Sequence, residues 1–521
     1  MNRNILFLPD RVSIDVPEGT LLSDAAKRAG VFLDLPCGGN GTCGKCAVLL
    51  ARNGETQSVS ACQTKVETDC TVTLPERAGL SALSEGAERA VAFAPCPGAD
   101  TAFEGACFAA IDLGTTTIVC YLLDAETGVQ IAAVGMQNPQ SVYGADVIAR
   151  ANHALTGEHP GALKDCAVSA INELIASTTA SAARRPEQVA LVSIVGNTVM
   201  HHLLLSYPVG QLVRAPYEPH MKQRRILSAR SLGIVAHPQA SVLVAPVVGG
   251  FVGADTVACM TATAFDGIAE PTLLLDIGTN GELVLTDGKR RVCCSTAAGP
   301  AFEGATISCG MRAESGAVDH VWLDHGELMV STIQNAPAKG LCGSGLVELC
   351  ALLVRRGVIS ESGRFDESAS LGGRIITLED GVRAFVVADG ERRVTLSQKD
   401  VRELQLGKAA IRAGIETLLG VLSLRAEDIA RVLLAGAFGS HLSAEALCDI
   451  GLLPEAVRAR VESVGNAAGE GAKLYARNFS LFEESELLAR QTEYIELTVS
   501  PVFAEYYVDA MAFPEPTGQR G

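Results

Sequence analysis

The sequence predicts a two-part protein: a small α+β module that carries a cysteine loop, then a large α/β module assembled from two similar halves. Three observations lead there. Cysteines cluster in Cys37-Gly-Gly-Asn-Gly-Thr-Cys43-Gly-Lys-Cys46, with a further thiol at Cys62. A strand-and-turn phrase, Phe108-Ala-Ala-Ile-Asp112-Leu-Gly114-Thr115-Thr116-Thr117, returns 164 residues later as Thr272-Leu-Leu-Leu-Asp276-Ile-Gly278-Thr279-Asn280-Gly281. Between the cysteine loop and the first phrase, residues 78–106 lose periodicity and collect Ala, Gly, Ser and Pro.

The cysteine loop has the spacing C-x5-C-x2-C, followed by the fourth thiol. That pattern suits a loop wrapped around an iron–sulfur cluster better than a zinc ribbon, which pairs one C-x2-C with another. Gly38, Gly39, Gly41 and Gly44 supply the conformational freedom that lets backbone N–H groups turn towards bridging sulfides. Cys37, Cys43, Cys46 and Cys62 are the expected ligands of a 2Fe-2S cluster.

Around that loop, Asn4–Leu8 and Val12–Val16 read as two strands joined by a Pro9-Asp10 turn. Thr20 is expected to cap a helix in which Leu21, Leu22, Ala25, Ala26 and Ala29 recur at helical spacing up to Gly30. Ala47–Leu50 and Thr71–Leu74 supply two further strands, with Cys62 in the loop between them and Cys70 as a core thiol. Residues 1–77, in this order, resemble the 2Fe-2S ferredoxins, a β-grasp fold. The five-residue first gap is closer to the adrenodoxin-like branch than to the plant type.

Composition excludes several classes of partner. The 521 residues include 42 basic and 59 acidic side chains, a net charge of −17 with no cationic patch to offset it. Such a surface repels phosphate backbones and anionic lipid, so neither nucleic acid nor membrane is expected as a partner. The apolar runs are shorter than the roughly 20 residues of a bilayer span. Sixteen scattered cysteines with no signal peptide at Met1 point to a reducing, cytoplasmic compartment rather than a disulfide scaffold. Residues 78–106 are expected to be a flexible linker that lets the small module swing, with Cys96 and Cys107 incidental.

In the large module each repeated phrase sets an aspartate at a strand end, followed by glycine and hydroxyl-bearing residues. Turns of this type present N–H and O–H donors to phosphates while the carboxylate holds Mg2+ or orients water. A third phrase, Val432-Leu-Leu-Ala-Gly436-Ala437-Phe438-Gly439-Ser-His441, runs from a hydrophobic strand into a glycine-rich turn suited to a flat adenine. In this order the three resemble the phosphate-1, phosphate-2 and adenosine motifs of the ASKHA superfamily of sugar kinases, heat-shock chaperones and actin.

That resemblance implies a duplicated, ribonuclease H-like α/β domain with halves at 107–270 and 271–508. Residues 509–521 follow as a tail, of which Phe513–Gly521 read as disordered. The resemblance implies ATP and Mg2+ as ligands, with Asp112 and Asp276 catalytic. Gly114, Thr115, Thr116, Thr117, Gly278, Thr279, Asn280, Gly436, Ala437, Phe438 and Gly439 would hold the nucleotide. Gly196–His202 and Lys339–Leu349 fall where the superfamily has elements connecting its halves. In the second of these, Gly343, Ser344 and Gly345 open a helix whose N-terminus can meet an anion. The loop 297–304, with Glu303, is a further phosphate-side candidate. Ser397 and Asp400 read as the capping box of an amphipathic helix, on which Lys408 and Arg412 are expected near the nucleotide. His201, His202, His320 and His325 are read as packing or surface residues, the last at a hairpin turn.

A ferredoxin module joined to an ATP clamp is a rare pairing. With Gln398-Lys-Asp-Val-Arg-Glu-Leu-Gln-Leu-Gly-Lys408 and Tyr143-Gly-Ala-Asp146-Val-Ile, nearly the whole chain resembles the reductive activators of corrinoid enzymes. The resemblance implies ATP-dependent electron transfer from the 2Fe-2S cluster to the Co(II) corrinoid protein of a methyltransferase system, a separate low-potential electron donor, and a homodimer. The short linker leaves no room for the middle segment that some relatives carry between the two parts. Two other readings fit the same motifs: an electron donor similar to the activators of 2-hydroxyacyl-CoA dehydratases, and a small-molecule kinase with a redox-sensing ferredoxin.

Overall fold

The computed structural model describes residues 2–8, 11–29, 31, 33, 41, 46–52, 55–74, 89–99, 101–157, 159, 161–389, 393–436 and 442–515. The small module is a five-stranded sheet of β1 (Asn2–Leu8), β2 (Val12–Pro17), β3 (Ala47–Arg52), β4 (Glu55–Ser60) and β5 (Cys70–Thr73) in the order β2-β1-β5-β3-β4. β1 runs parallel to β5 and antiparallel to β2, and α1 (Leu22–Arg28) covers one face. Ile5, Phe7, Leu22, Ala25, Ala26, Val48, Leu50 and Val72 form its core.

Two local expectations change here. Thr20 does not cap α1: its hydroxyl bonds to the carbonyl of Pro17, and the N-cap is Leu21 with no side-chain bond. Strand β4, Glu-Thr-Gln-Ser-Val-Ser, has no apolar alternation to reveal it and is set instead by its antiparallel register with β3, Leu49 opposite Ser58. Polar side chains suit a strand at a sheet edge, where they discourage further pairing.

The linker is shorter than its composition suggests. From Arg89 onward the described residues are strapped to the large module. Arg89 Nη1 donates to the Thr261 carbonyl, Ala94 N–H to the Arg477 carbonyl, and Phe479 N–H to the Ala94 carbonyl. Cys96, expected to be incidental, is buried beside Phe108 and Tyr475.

Each half of the large module is built on one six-stranded sheet. The first contains β6 (Cys107–Leu113), β7 (Thr117–Asp124), β8 (Gln130–Gln137), β9 (Val189–Gly196), β10 (Arg225–Ser228) and β11 (Ser241–Val244), ordered β10-β11-β9-β6-β7-β8. Helices α2 (Val147–Thr156), α3 (Ala162–Ser181), α4 (Thr198–Leu204) and α5 (Ala229–Leu232) accompany it. The second contains β12 (Thr272–Ile277), β13 (Gly281–Thr286) and β14 (Arg291–Thr296), and is ordered β22-β21-β12-β13-β14-β23. Between its strands in sequence lie two small sheets. One is β15 (Ala317–Asp324), β16 (Glu327–Thr332) and β17 (Gly340–Leu341); the other is β18 (Ile375–Thr377), β19 (Arg383–Ala388) and β20 (Val394–Ser397). Strands β21 (Arg431–Ala435), β22 (Val461–Gly465) and β23 (Thr492–Tyr494) complete it.

In both halves a three-stranded antiparallel meander begins at an aspartate-bearing strand, and that strand pairs in parallel with a later one: β6 with β9, β12 with β21. The repeated phrases are therefore structural equivalents. Between the two sheets cross α6 (Ala254–Ala262) and α10 (Ala467–Arg477), which bury Ala254, Ala258 and Ala472 against the first sheet and Val257, Met260 and Leu474 against the second. They approach closely because Gly471 has no Cβ, which would lie 2.3 Å from the Ala258 carbonyl oxygen.

The outer helices of the second half are α7 (Gly343–Arg355), α8 (Gln398–Leu422), α9 (Ala444–Asp449), α11 (Phe479–Arg490) and α12 (Pro501–Asp509). The capping box of α8 forms as read, Asp400 N–H to Ser397 Oγ and Ser397 N–H to Asp400 Oδ2. His325 and Gly326, both left-handed, make the β15–β16 turn. Phe513, placed in a disordered tail by sequence, is instead core: its ring is buried in the second-half cluster and its N–H donates to the Glu361 carbonyl. Lys408 Nζ fixes this segment by donating to the carbonyls of Ala510 and Ala512. Replacing Phe513 by Ala should therefore lower unfolding free energy by about 3 kcal/mol, read as a lower urea midpoint by far-ultraviolet circular dichroism. An unchanged midpoint would remove Phe513 from the core.

Candidate functional site

Two separate centres emerge. In the small module Cys46 Sγ and Cys62 Sγ lie 3.2 Å apart, both buried. That is beyond the S–S bond length of about 2.05 Å. It is close to the separation of about 3.7 Å for two thiolates sharing one tetrahedral metal at bonds of about 2.3 Å. Gln63 Nε2 donates to Cys62 Sγ, and Gly41 takes φ +75° where a Cβ would strike the Gln63 side chain at 2.8 Å. The residues present fit a cluster. Cys37 and Cys43 lie outside the described residues.

In the large module the strand ends β6 and β12 face one another across a cavity of about 920 Å³. Strand β6 is buried from Cys107 to Ile111, which leaves Asp112 as the first side chain to reach the cavity. The same holds for β12, buried from Thr272 to Leu275, with Asp276 at its end. The two turns touch: Thr116 Oγ1 and Thr279 Oγ1 are 3.0 Å apart, and Thr279 Oγ1 donates to Glu303 Oε1 at 2.8 Å. Gly436 lines the wall beside Asp276 with φ +97°, and a Cβ there would sit 2.5 Å from Asp276 Oδ1, so only glycine fits.

The cavity wall brings together Asp112, Gly114, Thr115, Thr116, Thr117, Asp276, Gly278, Thr279, Asn280, Glu303, Gly343, Ser344 and Gly436. The N-terminus of the thirteen-residue α7, capped by Cys342 without a side-chain bond, opens onto it through Gly343 and Ser344. Gly345 does not line it; its missing Cβ lets the helix pack within reach of the Val318 carbonyl. Ala437, Phe438 and Gly439 lie outside the described residues. Lys408 and Arg412 are absent from the wall: the first clamps the chain end, and the second pairs with Glu416.

Sequence reasoning missed several wall residues. Asp255 stands in the first turn of α6, Glu282 on β13, Asn466 at the N-cap of α10, and Arg312 and Lys339 supply the lining cations. The Gly253-Ala-Asp255 step after β11 was a legible signal; the others depend on tertiary approach. Burial lifts Asp112 and Asp255 to about 7 and Asp276 to about 6, and pushes Glu282 and Glu303 upward as well. Asn466 and Cys259 oppose this by donating to Asp112 Oδ2 and Asp276 Oδ2 at 3.3 and 3.6 Å. Among the described residues no group of three acidic, histidine or cysteine side chains converges tightly enough to cage a metal. A crowd of looser carboxylates fits Mg2+, which keeps several waters and shares its remaining positions with phosphates.

A glycine-lined cleft between duplicated sheets, on a chain that starts with a cysteine-bearing β-grasp module, defines a 2Fe-2S ferredoxin domain joined to an ASKHA domain. Family models agree. The model of the 2Fe-2S iron-sulfur cluster binding domain matches residues 6–67, that of the RACo middle region matches 107–267, and that of the C-terminal domain of RACo, the ASKHA domain, matches 270–520.

The corrinoid activation enzyme RamQ of Eubacterium limosum is 30% identical over 97% of this chain and 98% of its own. The [Co(II) methylated amine-specific corrinoid protein] reductase of Methanosarcina barkeri is 25% identical over 78% of this chain and 76% of its own. A solved reductive activator for corrinoid,iron-sulfur protein superposes with a TM-score of 0.74 at 29% identity, covering 98% of both chains. The chain belongs to the RACo family of reductive activators of corrinoid proteins. The middle segment that the short linker seemed to exclude is present after all, as the first half of the duplicated module.

The lifted carboxylates carry a pH dependence. An aspartate in an unfolded chain titrates near 3.9; between that value and about 6 to 7 the folded protein holds more protons than the unfolded one. Stability must fall as pH rises through this window and stay lowered above it. The nucleotide-free protein should accordingly melt lower at about pH 7.5 than at about pH 5, with Mg2+ and ATP raising the melting point more at the higher pH. A melting point that climbs across the window would contradict the crowding.

Proposed function

We propose that the chain is an ATP-dependent reductive activator that passes one electron to the Co(II) corrinoid protein of a methyltransferase system and returns it to the Co(I) state. The observation that carries this reading is the presence on one chain of the paired Cys46 and Cys62 thiols and the opposed Asp112 and Asp276 turns. The names of the relatives, a corrinoid activation enzyme and a Co(II) corrinoid protein reductase, support it.

Residues 1–77 hold the cluster through Cys37, Cys43, Cys46 and Cys62. When bound, the cluster supplies a one-electron relay filled by a separate low-potential donor. Residues 107–270 and 271–508 act as two jaws on ATP, with 78–106 between the modules and 509–521 at the end. Asp112 and Asp276 would hold Mg2+, which would supply charge neutralisation for the phosphates, and would orient the attacking water. Thr115, Thr116 and Thr117 on one turn, and Gly278, Thr279 and Asn280 on the other, offer hydroxyl and backbone N–H donors to the phosphates. Gly343 and Ser344 add the positive end of α7, and Gly436, Ala437, Phe438 and Gly439 seat the adenine. The protein works in the cytoplasm as a homodimer.

Co(II) reduction from such a cluster is uphill, so nucleotide closure must stabilise the product state. Moving an apparent one-electron potential by about 120 mV takes ~2.7 kcal/mol, within the ~1 to 3 kcal/mol of ordinary coupling energies. Asp112→Ala should lower ATP turnover about 100-fold or more while leaving the visible spectrum of the cluster intact. In the native protein, reduced and mixed with a Co(II) corrinoid protein, the Co(I) absorption band should rise only when ATP and Mg2+ are added. Equal reduction without nucleotide would refute the function.

A further inference from the structure

Asn466 reaches the first-half aspartate from 354 residues further along the chain. It follows β22, the edge strand of the second half, and is the N-cap of α10. Its amide is fully committed. Oδ1 accepts from Gly469 N–H at 3.0 Å, which closes the first turn of the helix. Nδ2 donates to Tyr121 OH at 2.8 Å and to Asp112 Oδ2 at 3.3 Å. An amide has two N–H donors and one carbonyl, so the cap fixes which end faces the aspartate and the tyrosine fixes its rotation.

Tyr121 is in turn immobile: it is buried on β7, and Lys473 Nζ stands 5.4 Å from its ring centroid. Gly469 permits the approach, since a Cβ there would lie 2.6 Å from the tyrosine hydroxyl. A second-half residue thus joins the first-half aspartate on the cavity wall to a first-half tyrosine buried behind it.

We propose that Asn466 is a positioning residue for ATP hydrolysis: held by the α10 cap and by Tyr121, it fixes the carboxylate of Asp112 in the orientation the reaction uses. Asn466 acts through Asp112 and has no donor left over for the nucleotide, so it governs turnover rather than ATP affinity. The inference rests on the reading of Asp112 as a residue of the ATP site.

Serine and threonine both serve as N-caps, which separates the two duties of Asn466. Asn466→Ser and Asn466→Thr retain the cap, lose the amide donor and add no charge beside Asp112. A purely structural role predicts wild-type behaviour for both. The positioning role predicts kcat for ATP hydrolysis lower by ~10- to 100-fold, the usual cost of losing such a supporting bond, with KM for ATP within ~3-fold and an unchanged cluster spectrum and melting point. Should both variants fail to fold, Tyr121→Phe keeps the cap and the ring and removes one anchor, and kcat there should fall ~3-fold or more. Wild-type kcat in whichever of these variants fold overturns the proposal, as does a raised KM with kcat preserved. Asp112→Ala run alongside separates the failures: if it still hydrolyses ATP, the reading of the site is wrong, whereas an inactive Asp112→Ala beside fully active Asn466 variants removes the brace alone.

Discussion

The cavity between the halves gathers Asp112, Asp255, Asp276 and Glu282 against two lining cations, Arg312 and Lys339, and this excess of buried negative charge is the constraint on which the large module depends. Burial disfavours each carboxylate, and neighbouring carboxylates disfavour Asp112, Asp255 and Glu282 further. A fold tolerates such a site only when packing elsewhere holds it in place. Here the support is the buried strand preceding each aspartate and the pair of crossing helices beneath them, whose apolar faces are consumed by the two sheets. The unfavourable electrostatics become favourable when a hydrated divalent cation and phosphates enter.

Duplication explains why the two jaws match. The meander β6–β7–β8 and its counterpart β12–β13–β14 turn at the same step, so each delivers an aspartate, a glycine and at least one threonine to the same rim. The contact of Thr116 with Thr279 is where the two turns touch. Sequence exposes such sites well because everything needed is local: a buried run that must be a strand, then a turn whose residues carry the chemistry. The cysteine loop is legible for the same reason.

What stayed hidden was set by tertiary placement. Asn466 looks like an ordinary helix cap, and only the packing of α10 on β6 and β9 brings it to Asp112. Cys259 is one apolar position on a helix until the crossing geometry puts its thiol on Asp276. Strand β4 carries no hydrophobic alternation because its side chains face water and its register comes from β3. Phe513 follows a helix with no buried residue of its own, so nothing in the surrounding pattern marks it as core; the Lys408 clamp on Ala510 and Ala512 is what seats it. The middle region is no insertion between the modules but one copy of the repeat, so no lengthening of the linker marks it.

The same helix pair also receives the chain from the small module. Arg89 bonds to the carbonyl of Thr261 on α6, whose hydroxyl meets Tyr475 OH on α10 at 2.9 Å, and Ala94 bridges Arg477 and Phe479 at the end of α10. Cys259, holding Asp276, lies two residues from Thr261; Asn466, holding Asp112, caps the helix that Arg477 ends. Both aspartates and the anchor of the small module are thus tied to two helices packed through Gly471. Packed helices shift as bodies rather than deform. A change in the separation of the jaws would therefore act on the same two helices that anchor the root of the linker.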